Sequence, residues 1–178
     1  MAINTTKWTV SNLDPTKVRI YKEITIDLIS KGGTDNDANL FMRNSVLSKK
    51  GATAGVFGFT ASSLRYFQYN NYHAFGCYID NNNRIEFYRS TINNKQLNFR
   101  IVAAGSTVYE SADVDNDFGK FEIRVTSANV ISAWKWDGIK WVQIGEGQTV
   151  ELGEKFLFAA SCGGEVAKLS LSYCYIKI

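Results

Sequence analysis

The stretch FGKFEIRVTSANVISAWKWDGIKWVQIG, residues 118–145, decides the class of fold. Within it Phe121, Ile123 and Val125 alternate with Glu122, Arg124 and Thr126, the period of a strand with one dry face and not of a helix. Ser127-Ala128-Asn129 turns the chain into a second strand, Val130 to Trp136. Asp137-Gly138 then supplies the tolerance of positive φ that a tight hairpin needs before Trp141 to Ile144 runs back. Three strands in immediate succession make a β-meander.

The flanks extend the pattern. Lys17 to Leu28 reads as one long strand with Val18, Ile20, Ile24, Ile26 and Leu28 on its dry face, interrupted at Lys22 as at a bulge or a sheet rim. Leu40 to Met42 reads as a short strand and residues 44 to 52 as a polar, mobile segment. Thr53 to Thr60 follows, with Gly55 and Gly58 leaving room for a close neighbour. Leu64 to Asn70, Ala74 to Asp80, Arg84 to Arg89 and Lys95 to Ala104 read as strands joined by Asn-rich turns, then Thr107 to Ser111, Lys155 to Ser161 and Val166 to Ile178. No stretch carries helical periodicity. Roughly a dozen short strands therefore predict an all-β chain, most simply a two-sheet antiparallel sandwich.

At 178 residues the chain suits one domain, 1–178, with a well-buried core. Its net charge of +3 comes from Lys and Arg scattered among acids, without the basic stripe of a nucleic-acid binder. No apolar run is long enough to cross a bilayer, and MAINTTKWTV lacks a secretory pattern. An extracellular, cell-surface or virion-surface location is nevertheless the expectation. The cysteines, Cys77, Cys162 and Cys174, are odd in number and form no CxxC pair, which argues against zinc. Cys162 and Cys174 could pair if their strands were neighbours; buried free thiols are the plainer reading.

The last third of the chain resembles the concanavalin A-like lectin and glucanase superfamily, the jelly-roll sandwiches that include laminin G-like modules and carbohydrate-binding modules. The residues that carry the resemblance are FEIRVT (121–126), ISAWKWDG (131–138), KWVQIG (140–145), FLFAAS (156–161) and the closing LSYCYIKI. The resemblance implies a curved sheet whose face binds glycans, and in some members a structural calcium. It does not imply binding in every member, since a fold hosts many functions. The glucanases of that superfamily carry their catalytic carboxylates in an ExDxxE-type pattern on one strand, and nothing in this sequence matches it. The single His73 leaves no Ser-His-Asp arrangement either. The expectation is a protein that is not an enzyme.

A glycan site needs flat apolar faces for pyranose rings and polar groups for hydroxyls. Alternation places Arg84, Glu86 and Tyr88 together, Asn98 and Arg100 beside them, and Arg124 with Glu122 on the meander. These are expected to share one exposed sheet face, which serves either as a glycan platform or as a solvated, mutually paired surface. Tyr72 and His73 are expected in a loop as further contacts. Trp134 and Trp136 share a face, as a stacking platform or as packing partners of Trp141, which is expected in the core. Oxygen ligands recur at every second residue in Asp35, Asp37 and Asn39, and again in Asp113, Asp115 and Asp117. The second, denser set is the candidate calcium site, or an ordinary acidic turn. Two functions fit: carbohydrate binding without catalysis, or a structural or adhesion module of a phage tail or surface appendage, for which a homo-oligomer or larger assembly is the expected partner.

Overall fold

The computed structural model describes residues 7–11, 18–21, 25–29, 44–65, 72–90, 97–111, 114, 119–162 and 168–178. They form fourteen strands: β1 (Trp8–Ser11), β2 (Val18–Tyr21), β3 (Thr25–Ile29), β4 (Asn44–Ala52), β5 (Gly55–Arg65), β6 (Tyr72–Asp80), β7 (Asn83–Ser90), β8 (Asn98–Ala103), β9 (Ser106–Glu110), β10 (Gly119–Val125), β11 (Val130–Trp136), β12 (Trp141–Thr149), β13 (Lys155–Cys162) and β14 (Lys168–Lys177). Two seven-stranded antiparallel sheets result, the first in the order β1-β4-β13-β6-β7-β8-β9 and the second β12-β11-β10-β5-β14-β3-β2. The meander read from residues 118–145 is the β10-β11-β12 end of the second sheet, with Glu122 opposite Trp134 and Trp136 opposite Trp141.

The core lies between the sheets. Phe121, Ile123 and Val125 enter it as their alternation requires, alongside Phe57 and Phe59 from β5, Phe75 and Cys77 from β6 and Ile85 and Phe87 from β7. Phe75 packs against Phe59, Phe87 and Phe121 with ring centroids 5.4, 5.3 and 5.7 Å apart, so one ring ties four strands together. Strand β6 is central in the first sheet, and all of Tyr72 to Tyr78 is buried, on both faces.

Three expectations change. Lys17 to Leu28 is a hairpin, not one strand: β2 pairs antiparallel with β3, Val18 opposite Leu28 and Ile20 opposite Ile26. Residues 44–52 form β4, held between β1 and β13, and the Ser48 hydroxyl accepts a hydrogen bond from the Leu157 amide while donating to the Lys50 carbonyl. Strand β6 begins at Tyr72, so Tyr72 and His73 belong to a strand and not to a loop. The expected strand at Leu40 to Met42 lies outside the described residues.

One buried cation closes an end of the sandwich. Lys155 is fully buried, and its ammonium donates to the carbonyls of Thr53, Leu152 and Gly153 at 2.8, 3.0 and 2.9 Å. Its three donors meet three acceptors, the condition under which a buried charge is tolerable.

Candidate functional site

The outer face of the first sheet holds most of the residues expected to bind a ligand. Glu86 sits opposite Arg100 on β8, and Arg100 opposite Glu110 on β9, so the three side chains form one row across adjacent strands. Glu86 Oε1 accepts from the Tyr72 hydroxyl at 2.9 Å, Arg84 Nε at 3.0 Å and Arg100 Nε at 2.7 Å. Arg100 Nη2 also donates to the Tyr72 hydroxyl at 2.9 Å, and its guanidinium lies 4.1 Å from the centre of the Tyr88 ring. Tyr72 and Tyr88 stack at 5.9 Å, and the Tyr88 hydroxyl donates to Glu110. Burial, then this hydrogen bond, push the Tyr88 phenol well above its usual pKa, so it stays protonated.

That arrangement corrects the expectation of an open platform. Arg84 is 7% exposed, Glu86 0%, Tyr88 2%, Asn98 8% and Arg100 6%. Tyr72, Ala74, Tyr78, Tyr88, Phe158 and Ala160 form a second apolar cluster on this outer face, distinct from the core between the sheets. The polar groups are therefore packed among aromatic rings and one another, not offered to solvent. His73 is 1% exposed and turned to the opposite, inner face with Phe75 and Cys77, its Nδ1 2.9 Å from the Ser161 hydroxyl. Burial, with Arg89 nearby, lowers its pKa from 6.5 to about 3. It is a neutral interior group and not a loop contact.

Arg124, Trp134 and Trp136 belong elsewhere, on the outer face of the second sheet. Strands β7 and β8 lie in one sheet and β10 and β11 in the other, so the single face predicted from alternation is in fact two. Here the side chains are accessible. Ile131 and Ala133 point inward, which turns Trp134 and Trp136 out, both half-buried. Trp141 turns out with them and meets Trp136 edge-on at 5.6 Å, a correction of its expected place in the core. Arg124 lies 4.2 Å from the Trp134 ring and 5.5 Å from Trp141, and Lys120 lies 5.8 Å from Trp136.

Beside these rings is a cleft of about 510 Å³, lined by Thr60, Lys120, Glu122, Trp141, Tyr173 and Tyr175. Its construction turns on a missing side chain. Register places Gly58 of β5 between Tyr175 of β14 and Glu122 of β10. A Cβ on Gly58 would come within 2.1 Å of the Tyr175 ring. The bare backbone lets the ring lie across β5, and its hydroxyl reaches Glu122 Oε1 at 2.5 Å, two strands away. Glu122 Oε2 accepts from Arg124 Nε at 2.8 Å and Nη2 at 2.7 Å. Tyr175 is 39% and Tyr173 65% exposed, and Tyr173 adopts a left-handed backbone, φ 49°, where β14 shifts register against β5. The sequence reading missed Tyr173 and Tyr175. Their alternation with Cys174 and Ile176 in the closing strand was the available signal.

Asp113, Asp115 and Asp117 lie outside the described residues, as do Asp35, Asp37 and Asn39, so neither candidate calcium set has a described geometry. Among the described residues no cluster of His, Cys, Asp or Glu could hold a metal ion. Cys77 is a buried free thiol and Cys174 a half-buried free one, its pKa pushed up to about 12 by burial. Strands β13 and β14, which carry Cys162 and Cys174, belong to different sheets. Among the described residues no helix is long and apolar enough to cross a membrane.

No protein-family model matches the chain, and no curated protein does. Solved structures do. A β-glucanase of Bacillus licheniformis superposes with a TM-score of 0.68 at 12% identity over 99% of this chain and 95% of its own. A prokaryotic β-1,3-1,4-glucanase (lichenase) from a mouse hindgut metagenome gives 0.62 at 9% identity over 99% and 96%. The GH43 protein BlXynB of Bacillus licheniformis gives 0.67 at 11% over 93% of this chain but only 35% of its own. The fold is thus the two-sheet jelly-roll sandwich of these glucanase structures, as the resemblance of the last third implied. These neighbours overturn the expectation that the chain is not an enzyme: the same architecture, nearly end to end, is a glycoside hydrolase in the first two. Absence of an ExDxxE-type pattern was too narrow a ground for excluding one.

Proposed function

We propose that the chain engages a polysaccharide along the outer face of the second sheet, with Trp134, Trp136, Trp141 and Tyr175 as ring-stacking surfaces and Arg124 and Lys120 as hydrogen-bond donors. The carrying observation is the accessible, aromatic-lined cleft beside a polar triad of Glu122, Arg124 and Tyr175. A pyranose presents C–H patches and hydroxyls together, and this face offers flat apolar rings beside charged donors. The glucanase and lichenase neighbours support a β-linked glucan backbone as the class to try first.

Affinity electrophoresis through gels containing β-1,3-1,4-glucan, xylan or a polyuronate tests this, with reducing ends counted in parallel so that cleavage is seen if it occurs. Retardation of the wild type and its loss in Trp134→Ala are expected. Unretarded migration on every polysaccharide, with no reducing ends released, would remove the reading.

A further inference from the structure

The cleft on the second sheet keeps one unbalanced positive charge, and this sets the class of glycan it takes. Glu122 is the carboxylate in its lining, and each of its oxygens already accepts: Oε1 from the Tyr175 hydroxyl, Oε2 from the Arg124 guanidinium. Arg124 also cancels the charge of Glu122, from which it is 2.7 Å away. The Tyr175 phenol, pushed up by burial and by its hydrogen bond to Glu122, remains protonated and adds no negative charge. Lys120 stands in the same lining, exposed, its ammonium 5.8 Å from the Trp136 ring and with no carboxylate partner among the described residues. A neutral sugar gains only an ordinary hydrogen bond from an ammonium, whereas a carboxylate gains a charge-assisted one. With Glu122 neutralised by Arg124, the charge this cleft keeps is that of Lys120.

We infer that the cleft takes a carboxylate-bearing glycan, a hexuronate within a polysaccharide, with its carboxylate on the Lys120 ammonium and its ring against Trp141 and Tyr175. This rests on the cleft being the glycan site. A charge-assisted contact of this kind separates the acidic from the neutral ligand by about tenfold in Kd or more, and the gap narrows with salt because Lys120 is exposed.

The test titrates the full chain with oligosaccharides of β-linked glucuronate and with the matching neutral gluco-oligosaccharides, at low and high ionic strength, for the wild type, Lys120→Met and Lys120→Arg. Tighter binding of the glucuronate, lost in Lys120→Met, retained in Lys120→Arg and weakened by salt, is the expected result. Equal affinity for the two ligands, or a preference that survives in Lys120→Met, overturns the inference while leaving the cleft as a glycan site. Binding of neither ligand takes the site with it. Lys120 is exposed, so a thermal melt of each variant matching the wild type is the control for folding.

Discussion

Neutral His73 makes the stability of this protein depend on pH in a window that can be worked out beforehand. Its folded pKa is about 3 against an ordinary 6.5, because the ring is buried and Arg89 lies near it. In the unfolded chain it binds a proton below about pH 6.5, while in the folded chain it does not until about pH 3. The stabilisation is therefore complete above the unfolded value and is lost as pH falls from about 6.5 toward 3. Each unit of separation is worth about 1.4 kcal/mol. Acidifying from about pH 7 to about pH 5 crosses roughly 1.5 units of that window, a loss of about 2 kcal/mol, and reaching about pH 4 raises the loss to about 3 kcal/mol. Against a typical total of about 5–15 kcal/mol this is a measurable share. Urea unfolding followed by tryptophan fluorescence, in the wild type and in His73→Asn, isolates it. Asn keeps a polar atom for the Ser161 hydroxyl but does not titrate, and every carboxylate that also protonates is common to both proteins. The gap in unfolding free energy between them is expected to shrink by about 2 kcal/mol between about pH 7 and about pH 5. Parallel curves would show that His73 takes up its proton over the same pH range folded as unfolded, and the reasoning about its burial would fail.

Three substitutions probe other parts of the account. Glu86→Ala strips the shared acceptor from Arg84, Arg100 and Tyr72 and leaves buried guanidinium groups without their carboxylate, so a loss of about 3–5 kcal/mol is expected by chemical denaturation. A loss below about 1 kcal/mol would mean that this face is open to water after all. Gly58→Ala drives a methyl into the Tyr175 ring and is expected to weaken glycan binding about tenfold or more while the far-UV circular dichroism spectrum is retained; unchanged affinity would show that Tyr175 is not a contact. Lys155→Met leaves the carbonyls of Thr53, Leu152 and Gly153 without their donor and should lower stability by about 2–4 kcal/mol, and an unchanged denaturation midpoint would contradict the role given to the buried ammonium.

How much of this was readable in the sequence depended on whether face alternation alone carries the information. In β10 and β11 it does: Phe121, Ile123, Val125, Ile131 and Ala133 are all buried as their parity requires. In residues 17 to 28 it does not. This hairpin pairs residues of equal parity, Val18 with Leu28 and Ile20 with Ile26, so a straight strand and a folded-back one show the same alternation here. Strand β4 was hidden for another reason: Ser45 and Ser48 take buried positions where a pattern reader looks for large apolar residues, and Ser48 is kept there by its bonds to Leu157 and Lys50.

The site was harder to read than the fold. Parity assigns a residue to one side of its own strand but says nothing about which sheet the strand joins. Arg124 was therefore placed with Arg84 and Arg100, although the structure puts them on opposite outer surfaces of the sandwich. Nor does parity say whether an outward side is wet. Tyr72, Tyr78, Tyr88 and Phe158 cover the outer side of the first sheet and turn a polar row into a buried network. Gly58 was noted as a place of close approach, but its visitor, Tyr175, lies 117 positions along the chain, a pairing that only the fold supplies.

The account stands on ligand binding at the open face of the second sheet and not at the packed face of the first. Isothermal titration of whichever oligosaccharide binds the wild type most tightly, repeated on Trp141→Ala, Tyr175→Ala and Tyr88→Phe, tests that directly. Affinity is expected to fall about tenfold or more in the first two and to stay at the wild-type value in Tyr88→Phe. Full affinity in Trp141→Ala and Tyr175→Ala, with loss in Tyr88→Phe, would move the site to the first sheet and contradict the account.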